Sequence, residues 1–291
     1  MIVIGGSAHN GIGQSLAKIL GVKFYEVEHK VFPDGESYIR IPMDVMGEDV
    51  VVVQSTYYPQ DKHVMELLLM LEALNALMVS NVTAVVPYLA YSRQDRRFRH
   101  GEALSIKVVL QAIRHSGANS LVVVEPHHPD ALAHFEGDAR IADPIPELAS
   151  ALKGINDPVI LAPDKGALDR AQRLAKALGA DYDYLEKSRD RVTGEVSLVS
   201  GPTEKLRGRS VILVDDIIST GGTMVLAAKA SYEAGAKEVI ATAVHGLFVS
   251  DNTIERIKAA GIKRIIVTNT VPQTSPHVEV VDVSPSIARK L

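Results

Sequence analysis

The chain has 291 residues, enough for two hydrophobic cores at roughly 150 residues per domain. Its 35 acidic and 31 basic residues leave a net charge of −4, which excludes a general nucleic-acid or membrane-surface binder and confines anion binding to local clusters. The lack of cysteine excludes disulfides and thiolate metal sites, so any metal is held by oxygen or imidazole, which points to a hard ion such as Mg²⁺.

The opening MIVIGGSAHNG lacks the basic and long apolar regions of a signal peptide, and no apolar run is long enough to span a bilayer, so a cytoplasmic protein is expected. GGSAHNGIG follows a strand without completing G-x-G-x-x-G, and gives no ground for a dinucleotide fold. FPDGE, Phe32 to Glu36, is a Pro-Asp-Gly turn whose Phe32 is suited to stacking on a base or packing at a subunit contact. Beyond it, apolar runs at Val50 to Val53, Ala84 to Val86, Leu121 to Val124, Val159 to Leu161, Val211 to Val214, Val239 to Val244 and Ile265 to Val267 read as buried strands. Helical spacing fills the gaps at Met65 to Ser80, Ser105 to His115, Ala167 to Leu178, Thr223 to Ala234 and Asn252 to Ala260. Glycines 117, 179, 235 and 261 stop several of these helices. The alternation predicts an α/β chain of two similar domains, residues 1–142 and 143–291, each a mainly parallel sheet flanked by helices. The prolines of DPIPEL mark the boundary, and the tail after Thr270 either finishes the second domain or returns to the first.

Polar residues follow the strands, at the sheet edge where open α/β folds bind ligands. VDDIISTGGT, Val214 to Thr223, places Asp215 and Asp216 at a strand's end, ahead of a turn with two glycines. As a plain connection it would use Ser219 or Thr220 as a helix cap. The adjacent acids weigh against that, because paired like charges gain nothing structurally while neighbouring ribose hydroxyls can occupy both. Ser219, Thr220, Gly221, Gly222 and Thr223 then form a cradle for a phosphate. YSRQDRRFRHGE, from Tyr91, packs Arg93, Arg96, Arg97 and Arg99 together, which is either a solvated loop or a polyphosphate site. No Walker loop occurs to hold a nucleotide instead. In EPHHPD one histidine is structural and the other faces a metal or phosphate; in APDKG, Asp164 is either a helix cap or a Mg²⁺ contact. EKSRDRVTGE, Glu186 to Glu195, reads as a solvated hairpin, with Lys187 and Arg189 also able to close over a reacting phosphate.

In order and spacing, FPDGE, PYLAYSRQDRR, the histidine pair, APDKG, the KSR loop and VDDIISTGGT resemble the ribose-phosphate pyrophosphokinases along essentially the whole chain. The resemblance implies two tandem type I phosphoribosyltransferase-like domains and a homo-oligomer whose active site lies at the domain junction and is completed by a neighbouring subunit. It implies ATP and ribose 5-phosphate as substrates and Mg²⁺ as cofactor. Asp215 and Asp216 would face the ribose hydroxyls, and Ser219 to Thr223 would hold the 5-phosphate. Arg93, Gln94, Asp95 and Arg96 would contact ATP, with Phe32, Asp34 and Glu36 reaching its adenine from another subunit. His127 and Asp164 would be magnesium contacts, and Lys187 and Arg189 the catalytic clamp. Two positions depart from many relatives: Ser219 stands for an aspartate, and Glu125-Pro126 for Asp-Leu. A phosphoribosyltransferase or a silent regulator of such a synthetase are the rival expectations.

Overall fold

The computed structural model describes residues 1–189, 196–200 and 204–291, with side chains at 1–185 and 204–291. The chain divides into two compact units. One holds Met1–Asp143, Asn269–Pro272 and Asp282–Leu291; the other holds Pro144–Thr268 and Gln273–Val281.

In the first unit the strands are β1 (Ile2–Gly5), β2 (Lys23–Glu26), β3 (Glu28–Val31), β4 (Ser37–Arg40), β5 (Asp49–Val53), β6 (Asn81–Val86), β7 (Ser120–Val124) and β8 (Asp138–Ala142). The helices are α1 (Ile12–Leu20), α2 (Gln60–Ala76) and α3 (Ser105–His115). Six strands form one parallel sheet in the order β2-β1-β5-β6-β7-β8. β5 and β7 are runs of valine and leucine after their first residue, with no polar side alternating, as befits parallel strands buried on both faces. Leu67, Met70, Leu71 and Leu74 of α2, with Ile106, Leu110 and Ile113 of α3, build the core against it. α3 has the expected bounds, whereas α2 starts at Gln60 rather than Met65. Pro59 stands at its N-cap and Asp61 in its first turn, where a carboxylate complements the helix dipole. β3 and β4 pair only with one another, as an antiparallel hairpin around FPDGE.

The second unit repeats the plan. It contains α4 (Ile145–Leu152), β9 (Pro158–Ala162), α5 (Leu168–Leu178), β10 (Asp181–Tyr184), β11 (Glu186–Arg189), β12 (Val196–Ser200), β13 (Ser210–Ile218), α6 (Gly222–Glu233), β14 (Glu238–Gly246), α7 (Thr253–Ala259), β15 (Ile262–Thr268) and β16 (Val278–Val281). Its six-stranded parallel sheet runs β10-β9-β13-β14-β15-β16, the same sequence of neighbours as in the first unit. The two-domain α/β expectation is therefore borne out. β13 is longer than its apolar run: it continues through the aspartates to Ile218, because β14 pairs with it as far as Gly246. Its other neighbour, β9, pairs only as far as Leu213, so Asp215 and Asp216 extend beyond β9 on that side. β11 and β12 pair antiparallel, while residues 190–195 of the charged EKSRDRVTGE segment lie outside the described residues.

The tail rejoins the first unit through α8 (Ser284–Ala288), which packs on α1. Val283 and Ile287 are fully buried there, and Ser55 Oγ donates to the Thr270 carbonyl at 2.6 Å. Asp282 carries the turn into α8, accepting from Ser284 N–H at 2.9 Å and from Asn269 Nδ2 at 2.9 Å.

Candidate active site

In the first unit the loop after β6 carries the arginines. Ser55 and Thr56, wholly buried just past β5, fix its root: Tyr88 N–H donates to Ser55 Oγ at 3.0 Å and Ala90 N–H to Thr56 Oγ1 at 2.8 Å. Tyr91 then turns left-handed, with φ 63°, and its hydroxyl donates to Asp61 at the start of α2. Arg93, Arg96, Arg97 and Arg99 are all exposed, so their charges face whatever approaches this sheet edge. Asp95 is turned inward instead. Its Oδ2 lies 3.6 Å from His128 Nε2 and its Oδ1 lies 3.8 Å from Arg96 Nε. His127 stacks edge-on against His128, with ring centroids 4.6 Å apart, so the histidine pair and the arginine loop form one cluster. The predicted residues Arg93 to Arg96 and His127 thus come together within this unit.

Phe32, Asp34 and Glu36 sit apart from that cluster, on the tip of the β3–β4 hairpin. Asp34 Oδ1 accepts the Glu36 N–H at 3.2 Å, and the backbone closes from Phe32 N–H to the Glu36 carbonyl at 2.8 Å. Phe32 meets Tyr38 edge-on at 5.9 Å, and Lys30 Nζ stands 4.8 Å from both ring centres. The arrangement keeps an aromatic face and a cation at the surface. Among the described residues, no hydrogen bond or ion pair joins the tip to the arginine loop.

In the second unit, Asp215 and Asp216 are both largely buried on β13. Each carboxylate braces the next peptide: Asp215 Oδ1 accepts Asp216 N–H, and Asp216 Oδ1 accepts Ile217 N–H, both at 2.9 Å. Burial, and then the charge of Asp216, push the Asp215 carboxyl well above the usual carboxylate range, while Arg170 pulls it down. Arg170, on the buried face of α5, places Nη1 3.8 Å from Asp215 Oδ1. Sequence reasoning missed this residue. Its signal was an arginine beside Ala171 on the face that also buries Leu174.

The Ser219 to Thr223 turn opens α6 without any side-chain cap. Gly221 is the N-cap at φ 77°, and a Cβ there would meet Ile257 at 3.0 Å, so the turn requires glycine for both conformation and space. The first-turn N–H groups of a helix have no partner within it, and with the helix dipole they favour an anion. Ser219 is held by its carbonyl, which accepts Val249 N–H at 3.2 Å, while the Thr220 side chain is exposed. Asp164 caps a short turn after β9, its Oδ1 accepting Gly166 N–H at 3.0 Å. Lys187 and Arg189 lie on β11, and their side chains are outside the described residues. Among the described residues, no group of three or more His, Asp or Glu side chains converges as a metal site.

Comparison with known proteins agrees with this plan. Residues 1–117 match the N-terminal domain of ribose phosphate pyrophosphokinase, and residues 139–271 match the phosphoribosyl transferase domain. The ribose-phosphate pyrophosphokinase of Sulfolobus acidocaldarius is 59% identical, covering 100% of both chains, and that of Sulfurisphaera tokodaii is 57% identical with the same coverage. The crystal structure of phosphoribosylpyrophosphate synthetase from Mycobacterium smegmatis superposes with a TM-score of 0.88 at 30% identity, covering 99% of this chain and 96% of that one. Motifs, strand order and full-length identity converge, and the chain belongs to the ribose-phosphate pyrophosphokinases.

Proposed function

We propose that this ribose-phosphate pyrophosphokinase divides its reaction between the two half-sites, the first unit holding ATP and the second holding ribose 5-phosphate. The reaction moves pyrophosphate from ATP to the anomeric hydroxyl, giving 5-phosphoribosyl 1-pyrophosphate and AMP for nucleotide biosynthesis. The observation that carries the assignment is the uncapped, glycine-opened N-terminus of α6 directly after the buried Asp215–Asp216 pair. There the Ser219 to Thr223 backbone binds the 5-phosphate and the two carboxylates accept from the ribose 2- and 3-hydroxyls. In the first unit, Arg93, Gln94, Asp95 and Arg96 contact ATP, the two arginines pairing with its phosphates.

The anomeric oxygen attacks the β-phosphorus in line, and AMP leaves. This chemistry needs positioning and charge neutralisation rather than a covalent intermediate. Lys187 and Arg189 supply positive charge to the oxygens of the group in flight. Magnesium carried mainly by nucleotide phosphates takes only one or two protein ligands, and the His127 imidazole in the first unit and the Asp164 carboxylate in the second each offer a donor suited to it. When bound, it screens the phosphate charges and fixes their geometry. The enzyme acts in the cytoplasm as a homo-oligomer, with Phe32, Asp34 and Glu36 meeting the adenine held by a second copy. The exposure of the hairpin tip supports that last assignment. Among the described residues, no helix is long and apolar enough to cross a membrane.

The test is to incubate the purified protein with ATP, Mg²⁺ and ribose 5-phosphate in phosphate and to identify the products. AMP formed in step with phosphoribosyl pyrophosphate, and only with the sugar phosphate present, is the expected result. ADP in its place would overturn the mechanism.

A further inference from the structure

We propose that Glu102 is a positioning residue for the nucleotide: it curls the arginine loop onto itself and, through Phe98, sets where the Arg96 guanidinium stands. The proposal rests on the assignment of Arg93 to Arg96 as ATP contacts. Glu102 Oε2 accepts Phe98 N–H at 2.7 Å, Arg99 N–H at 3.0 Å and Gln94 Nε2 at 3.4 Å. Its carbonyl accepts Arg97 Nε at 3.0 Å, and its own N–H donates to the Arg99 carbonyl at 3.3 Å. One residue therefore fastens the loop from Gln94 to Arg99, with a carboxylate seated on two successive backbone N–H groups, the geometry of an anion nest.

Charge explains why such a fastening is needed. Four exposed arginines in one short segment repel each other and favour an extended chain. The nearby Asp95 faces His128 and Arg96, so within the loop's turn it is Glu102 that meets the cationic backbone segment. The Arg99 N–H, together with that of Phe98, holds the Glu102 carboxyl below the usual carboxylate range, so it stays an acceptor under working conditions. The link to Arg96 is physical. Phe98 is 62% exposed and packs into no core, yet the Arg96 guanidinium stands over its ring at 5.2 Å. Fixing the Phe98 N–H holds the backbone from which that ring reaches the Arg96 guanidinium. Gln94 Nε2, which also donates to the Arg96 carbonyl at 3.1 Å, holds the same residue by its backbone. Glu102 acts on the nucleotide only through these neighbours.

The experiment compares wild type, Glu102→Ala, Glu102→Gln and Arg96→Ala by KM for ATP, KM for ribose 5-phosphate and kcat. Hydrogen exchange of the 93–102 peptide without substrates is read alongside. Glu102→Ala is expected to lose protection at the Phe98 and Arg99 amides and to raise KM for ATP about tenfold, as when the competent loop falls to about a tenth of the population. KM for ribose 5-phosphate stays unchanged, and Glu102→Gln, which keeps an acceptor oxygen, recovers part of the loss. If Arg96→Ala raises KM for ATP and Glu102→Ala does not, the positioning role is overturned while the ATP assignment stands. If Arg96→Ala leaves KM for ATP unchanged, the ATP assignment fails and the proposal falls with it. Should Glu102→Ala not fold, Glu102→Ser, too short to reach both amides, takes its place: a raised KM for ATP supports the role and an unchanged one overturns it.

Discussion

Arg170 Nη1 stands 3.8 Å from Asp215 Oδ1, a buried cation from α5 set against an acid that already has a second acid beside it. The pairing moderates the site's self-repulsion without cancelling it, since burial and Asp216 still hold the Asp215 carboxyl well above its ordinary range. A carboxyl whose folded-state pKa is raised contributes stability that is present at low pH and lost as pH rises through that folded value. Deprotonating Asp215 beside Asp216 is therefore a cost that the fold carries for the sake of binding.

Asp215→Asn should thus be more heat-stable than wild type at about pH 8, by about 2–4 °C per kcal/mol relieved, with the gap closing toward about pH 4. The same variant should lose turnover of ribose 5-phosphate. A melting temperature below wild type at the higher pH would show that Arg170 dominates the balance instead.

Lys187→Ala should lower kcat by on the order of 10²–10³ with little change in either KM, because a charge aimed at the group in flight matters most in the transition state. Steady-state kinetics with each substrate varied in turn checks this. An unchanged kcat would remove Lys187 from the chemistry.

Gly221, the N-cap of α6, and Gly222, its first residue, should respond differently to a methyl group. Gly221→Ala imposes a positive φ on alanine and puts its Cβ 3.0 Å from Ile257, so a loss of about 1–3 kcal/mol and a raised KM for ribose 5-phosphate are expected. At Gly222 an added Cβ meets only Thr220 Oγ1, at 3.8 Å, and Gly222→Ala should keep wild-type stability. Denaturant melts of the two variants side by side settle the contrast; equal losses would mean the steric account is wrong.

Chelation offers a further check. EDTA should abolish turnover yet leave the melting temperature of the substrate-free protein unaltered, since no cluster of three ligands among the described residues would tie a resident ion to the fold. A lower melting temperature in EDTA would indicate a structural metal.

Much of this was legible in the sequence, because continuous valine and isoleucine signal strands buried on both faces, and because α3 keeps an apolar face at regular spacing. What escaped depended on contacts between distant segments. The extension of β13 through Asp216 to Ile218 is dictated by pairing with β14, which no local pattern of β13 reveals. Arg170 looks like a surface charge until α5 is laid against its sheet, and Glu102 looks like one more loop acid until the backbone turns back to meet it. Glu66 is another case. It lies in an apolar helix and is fully buried, with Gln54 Nε2 donating to it at 3.3 Å and Ser7 closing on the same oxygen. The identical strand order of the two units was foreshadowed only as a shared rhythm of strands and helices.

The path of the C-terminal tail bears on how the protein is made. Residues Asn269–Pro272 and Asp282–Leu291 belong with Met1–Asp143, while Gln273–Val281 supplies the last strand of the other sheet. Neither unit is a single stretch of gene, so a break after Asp143 would yield a fragment missing its own α8 and the seat for Ser55. On the ribosome, the unit built mostly from residues 1–143 must wait for residues 269–272 and 282–291 before its fold is closed.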